Sequence, residues 1–126
     1  MNKLHLIRIL NRLLLFISFV FIIFYFAIGQ PNYSVDEAVN HIGEKALVEG
    51  EVAQVSIAQN GNIYVSMGNK FPNAKFAAVI LSIYSNLFPK AEELEGKRIR
   101  VYGVIENDMG SIQIIVRSKS QIKIVR

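Results

Sequence analysis

Residues 46–58 (ALVEGEVAQVSIA), followed closely by Asn60-Gly61 and then by residues 63–67 (IYVSM), are the stretch from which the fold can be read. Val48, Gly50 and Val52 share one parity, whereas Val55 and Ile57 share the other. A parity switch near Ala53-Gln54 predicts a β-bulge, and Gly50 tolerates curvature just before it. A long strand bent in this way can belong to two sheets at once. Asn60-Gly61 predicts a tight hairpin. Beyond it, Ile63, Val65 and Met67 alternate inward while Tyr64 and Ser66 point outward.

Downstream, residues 68–73 (GNKFPN) read as a loop and Phe76–Ile83 as a third strand, apolar on both parities and therefore covered on both faces. Pro89 suits a first helical position and Gly96 a stop, which predicts a short helix over Pro89–Glu95 with Leu94 inward. Glu92, Glu93 and Glu95 then form a solvated helix face. A fourth strand over Arg98–Asn107 turns Ile99, Val101, Gly103 and Ile105 inward and Arg98, Arg100 and Tyr102 outward. Asn107–Gly110 is a turn. A fifth strand, Ser111–Arg117, alternates Ile112, Ile114 and Val116 against Gln113, Ile115 and Arg117. After a polar break, Ile122 and Ile124 resume the alternation and are expected to pair back onto the first strand.

Upstream, Ser34 with Glu37 three residues on is a capping-box signature. It opens a helix expected over Val35–Ile42, with Ala38, Val39 and Ile42 as its apolar stripe and Gly43 as its C′ residue. Gln30–Tyr33 reads as a short spacer. Before it, residues 13–29 form an apolar run whose polar atoms belong to Ser18 and Tyr25, preceded by Lys3, Arg8 and Arg12. A charge-free run behind a positive N-terminus directs export with the N-terminus inside. Residues 1–12 are thus expected to be a basic cytoplasmic N-terminus, 13–29 a transmembrane anchor or signal segment, and 34–126 a domain outside the cytoplasm. At 1.5 Å per residue the run makes roughly 25 Å of helix, which Leu6–Leu10 can lengthen while Arg8 and Arg12 snorkel. Ala27-Ile28-Gly29 is a candidate cleavage position. Cleavage after Gly29 gives a secreted domain, and retention gives a single-pass membrane protein.

The chain of 126 residues carries a net charge of +4 and no cysteine, so neither a disulfide framework nor lipid attachment through cysteine is available. Lys3, Arg8 and Arg12 account for most of that charge. The remainder is sorted along the chain: Asp36–Glu51 holds five acids against Lys45, and Lys97–Arg126 holds seven cations against Glu106 and Asp108. A basic last third suits a polyanion. The same charges also serve as solvated strand faces that discourage edge-to-edge aggregation.

Five strands, a long curved first one and a helix between the third and fourth outline a mostly-β Greek-key barrel. Gly50-Glu51-Val52, residues 61–65 (GNIYV), residues 71–80 (FPNAKFAAVI), residues 94–97 (LEGK) and Ser120-Gln121-Ile122 resemble the OB-fold nucleic-acid-binding domains of exported bacterial proteins, some of them joined to nucleases. The resemblance spans about Ser34–Val125. Lys119 departs from it, standing where proline is expected before Ser-Gln-Ile. It implies a five-stranded OB-fold barrel whose inserted helix plugs one end, and it leaves any nuclease to a separate chain. An OB barrel binds across its second and third strands and between the loops joining strands one–two and four–five. The expected ligand face is therefore Tyr64, Ser66, Lys70, Phe71 and Lys75, with Arg100 and Tyr102 nearby. Aromatic faces for base stacking and cations along the backbone path are what single-stranded nucleic acid requires.

Two function classes follow. One is a membrane-tethered module for single-stranded nucleic acid or another polyanion, and the other is a protein-interaction or structural module of an envelope complex. No cofactor, metal or catalytic residue is expected. His5 and His41 lack the company of other ligands, the C-terminal stretch has no histidine for haem, and no nucleophile, base and orienter come together.

Overall fold

The computed structural model describes residues 2–27 and 29–126. Helix α1 (Lys3–Ala27) begins ten residues before the apolar run and so takes in the basic N-terminus as well. Residues 3–23 are exposed throughout and long and apolar enough to cross a membrane. The candidate cleavage position includes Ile28, which lies outside the described residues.

The long strand forms as its pattern predicts. β1 (Asn32–Ser34) precedes it, and β2 (Lys45–Ile57) runs antiparallel to both β3 (Ile63–Met67) and a later strand, β5 (Arg98–Val104). Its first half, Lys45–Glu51, pairs with β5, and its second half, from Val52, pairs with β3. The register slips between Val52 and Gln54, where the parity switches. β4 (Phe76–Ile80) continues from β3 and pairs in parallel with β7 (Ser111–Val116), whose hairpin partner is β6 (Glu106–Asp108). β8 (Ile122–Ile124) lies on β5. The sheet has eight strands, mostly antiparallel. The five expected strands correspond to β2, β3, β4, β5 and β7; β8 is the expected Ile122–Ile124 segment, β6 takes up the end of the expected fourth strand, and β1 is an addition.

Ala46, Val48, Val52, Val65, Met67, Phe76, Ile80, Ile99, Val101, Ile105, Ile114 and Val116 fill the barrel with at most 1 % exposure each. Burying each large aliphatic or aromatic side chain contributes about 1.5–3 kcal/mol. Between β5 and β7 the wall closes through side chains. A Cβ added to Gly103 would lie 2.5 Å from Ile114 Cγ2, so the strands approach there as closely as a glycine permits. The Gln121 amide spans the same seam, its Nε2 donating to the carbonyls of Tyr102 (2.9 Å) and Ile115 (3.0 Å). Its Oε1 accepts from the amides of Arg117 (2.7 Å) and Ser118 (3.0 Å).

Four expectations are corrected. Ile122–Ile124 pairs with β5, because the first half of β2 is already flanked by β5 on one edge and β1 on the other. The spacer is itself partly a strand: Asn32–Ser34 runs parallel to Leu47–Glu49. The helix before the first strand shrinks to a 3₁₀ turn, Ala38–His41, preceded by the Ser34 cap, whose Oγ accepts from the Glu37 amide. Val35 and Ala38 are buried while Val39 and Ile42 face solvent. A segment this short cannot sustain an α-helix unless its whole stripe is buried. The segment between the third and fourth strands likewise forms two 3₁₀ turns, Ser82–Leu87 and Ala91–Leu94. Pro89 disfavours helical geometry at Phe88 and splits the segment. The plug survives in side chains, with Ala91 and Leu94 buried and Tyr84 and Phe88 packed on the core.

Candidate functional site

The second half of β2, the outward face of β3 and β4, the loop after β3 and the tip of the β6–β7 hairpin surround a cleft of about 560 Å³. Its floor comes from alternation: Tyr64 and Ser66 of β3 and Ala77 of β4 are the residues opposite in parity to the core set. Ser66 is buried and Tyr64 half-buried. Three apolar side chains stand on its rim. Phe71 is 76 % exposed, Ile57 59 % and Met109 fully exposed, so none is satisfied by packing within the domain.

Each rim position has a local cause. The Phe71 amide donates to Gln54 Oε1 (3.2 Å), so the residue at the bulge of β2 fixes the loop that presents the ring. Met109 sits at φ +50° in the hairpin tip, where the Asn107 side chain accepts from the Gly110 amide (2.7 Å) and sets the turn. The bulge itself is held from outside by Glu95, whose carboxylate accepts from the Val55 amide (2.8 Å), and by Gly96, whose amide donates to Val52.

Among the described residues, no lysine, arginine, aspartate or glutamate lines this cleft. Of the seven residues expected on the ligand face, Tyr64, Ser66 and Phe71 come together here. Lys70 neighbours Phe71 in the loop but is not part of the lining. Lys75 turns to Asp36, Nζ to Oδ1 2.7 Å. Arg100 and Tyr102 are on the outward face of β5, beside Lys123 of β8, and line a different depression. Arg100 is held by Glu49, Nε to Oε1 2.6 Å, and Arg98 reaches the same carboxylate at 2.9 Å. Hydrogen bonds from Arg100 and then Arg98 keep the Glu49 carboxyl below the usual range for glutamate. Sequence reasoning missed Ile57 and Met109. Ile57 reads as the last residue of the alternation that follows the parity switch, and it does lie opposite Ile63, but at the end of β2 nothing among the described residues covers it; Met109 is an apolar residue in a turn, visible as such in the sequence.

A second cluster lies at the domain's entrance. Tyr33 stacks on His41, ring centroids 3.7 Å apart and nearly parallel, and both side chains reach Glu44. Tyr33 Oη donates to Oε1 at 2.8 Å, and His41 Nδ1 lies 2.5 Å from Oε2. The bond to Glu44 raises the Tyr33 phenol, and the bonds from Tyr33 and His41 lower the Glu44 carboxyl. Its partners are all satisfied within the cluster, so it reads as a fastening for β1. Among the described residues, no group of three or more His, Cys, Asp or Glu is arranged to hold a metal ion.

No protein-family model matches the chain, and no curated protein matches it. Solved structures do. OBody AM1L10 bound to hen egg-white lysozyme is 19% identical, with a TM-score of 0.55 over 77% of this chain and 94% of that one. OBody AM3L15, also bound to hen egg-white lysozyme, is 18% identical, with a TM-score of 0.55 over 78% and 95%. A putative aspartyl-tRNA synthetase from Leishmania major Friedlin is 8% identical, with a TM-score of 0.51 over 76% of this chain and 21% of that one. At these identities the likeness is one of architecture, and the architecture is the OB-fold.

Proposed function

We propose that the chain is a membrane-tethered OB-fold module, its domain outside the cytoplasm, which acts by binding rather than catalysis and takes an apolar segment of a protein partner in the cleft. The observation that carries this reading is the uncharged lining with Phe71, Ile57 and Met109 left bare on its rim. Bare apolar groups gathered around one concavity mark an interaction site. A polyanion would find no cation there to replace its counterions. An OB-fold surface can hold a protein, as the lysozyme-bound OBody does.

A photo-reactive residue at Met109 of the full chain, activated in its host membrane, tests the site. One stoichiometric protein adduct is expected, lost on Phe71→Glu and absent when the reactive group is at exposed Glu92. Adducts that form equally from both positions would defeat the reading. Single-stranded nucleic acid remains the second reading because Tyr64 and Phe71 offer two rings for stacking, each worth about 1–3 kcal/mol per base. Nucleic-acid adducts from Met109, with oligonucleotide affinity falling steeply as salt rises, would favour it instead.

A further inference from the structure

The outward face of the other half of the barrel is built differently. Register sets Leu47 opposite Tyr102, Glu49 opposite Arg100, and Arg100 opposite Lys123, while the residues between them point into the core. Glu49 is shared by two guanidiniums, so that triad keeps a net positive charge. Lys45 adds a cation at one end of the face, and Glu51, opposite Arg98, an acid at the other. Among the described residues Lys123 has no carboxylate within ion-pair distance. A depression of about 400 Å³ lies between Arg100, Tyr102, Ser120 and Lys123, with Gln30 on its rim.

Gln30 ties this face to the helix. Its Nε2 lies 3.3 Å from Tyr102 Oη, and in sequence it follows Ala27, the last residue of α1, by three positions. Three residues reach about 11 Å at most. If α1 crosses a bilayer, the depression is within head-group distance of the end of the span, whichever way the domain leans. The cleft lies at the far end of β2, around Ser56 and Ile57, away from Leu47 in the depression, and stays open when the other face is covered.

We infer that this face docks on anionic phospholipid head groups of the bilayer that holds α1. Arg100 and Lys123 take the lipid phosphates, and Tyr102 and Gln30 sit at the interface, where tyrosine is favoured. The inference rests on α1 being a retained membrane span.

The absence of cysteine makes a single reporter site simple to introduce. The full chain carrying Ser120→Cys, labelled with an environment-sensitive fluorophore, is reconstituted into vesicles of phosphatidylcholine alone or mixed with phosphatidylglycerol. Each vesicle contains a lipid spin-labelled at the head group. Quenching is expected to be stronger with phosphatidylglycerol and to fade in high salt. Arg100→Gln and Lys123→Gln should each lower the docked-to-free ratio roughly fivefold, the value for one basic side chain at an anionic surface. Glu49→Gln, which frees two guanidiniums, should raise it. A reporter at Met109→Cys should stay unquenched throughout. A chain that floats with the vesicles yet is quenched equally in both lipids overturns the docking and leaves the span standing. A chain that does not float overturns both.

Discussion

Gln121 does more for the barrel than its half-exposed position suggests. Its amide uses both donors and its oxygen to join β5, β7 and the turn that follows, at a seam with no backbone ladder. Gln121→Leu keeps the bulk but leaves the carbonyls of Tyr102 and Ile115 without partners. Its cost should be about 2–3 kcal/mol by chemical denaturation of the detergent-solubilised chain. A loss below about 0.5 kcal/mol would mean that water replaces the amide fully. Gly103→Ala tests the same seam by overpacking, because the new methyl meets Ile114 Cγ2. About 1–3 kcal/mol of destabilisation is expected, and Ile114→Ala in the same chain should couple to it rather than add. The sequence shows Gly103 as an inward residue and Gln121 as part of a polar break. Neither the close approach nor the amide clamp is legible there, because both depend on two strands that are not paired.

Among the elements, β2 was the most legible, since a period-two pattern that changes parity has few explanations other than a bulged strand. The elements misread were those without a period long enough to count. Asn32–Ser34 has three residues in its strand, and the 3₁₀ turns sit where the helix signals at Ser34, Gly43, Pro89 and Gly96 are genuine but the span between them is too short. The fastening of β1 makes a pH prediction. The Glu44 and Glu49 carboxyls are held below the ordinary 4.5, so their contributions are complete above that value and vanish as pH falls through the lowered ones. Tyr33 is raised above 10.0, so its contribution holds below that value and is lost as pH climbs past the raised one. The protection factor of the Leu47 amide, which donates to Pro31, should therefore fall at both extremes once the intrinsic pH dependence of exchange is divided out. Glu44→Gln should flatten the acid limb coming from this cluster; an unchanged profile would show that β1 is held by its ladder alone. Gln54→Ala belongs to this scale too. It should speed exchange at the Phe71 amide severalfold while leaving global stability within about 1 kcal/mol.

For the whole molecule, the two faces of the barrel differ in kind, and the division follows from β2 serving two sheets. The uncharged cleft surrounds its second half, and the basic face surrounds its first. The expected ligand face mixed the two, because outward parity was readable strand by strand while the angle between the sheets was not. Tyr64, Ser66 and Phe71 were legible as a group, since they follow one another along a strand and its loop. Arg100 and Tyr102 share their parity but look elsewhere. Membrane attachment is checked at this scale by carbonate extraction: a helix of 25 residues, about 37 Å long, exceeds the ~30 Å hydrocarbon core and should keep the full chain in the pellet. Chain released to the supernatant would point to a processed, freely diffusing domain.

The direction of β1 has a mechanical consequence. It follows the helix in sequence and runs parallel to the start of β2, while the cleft lies at the opposite end of the same long strand. Tension between the lipid bilayer and a bound partner would pull the two strands lengthwise past each other, so their bonds must rupture together rather than unzip in turn. On the proposed reading, this arrangement resists tugging along the line between a membrane span and a molecule held in the cleft.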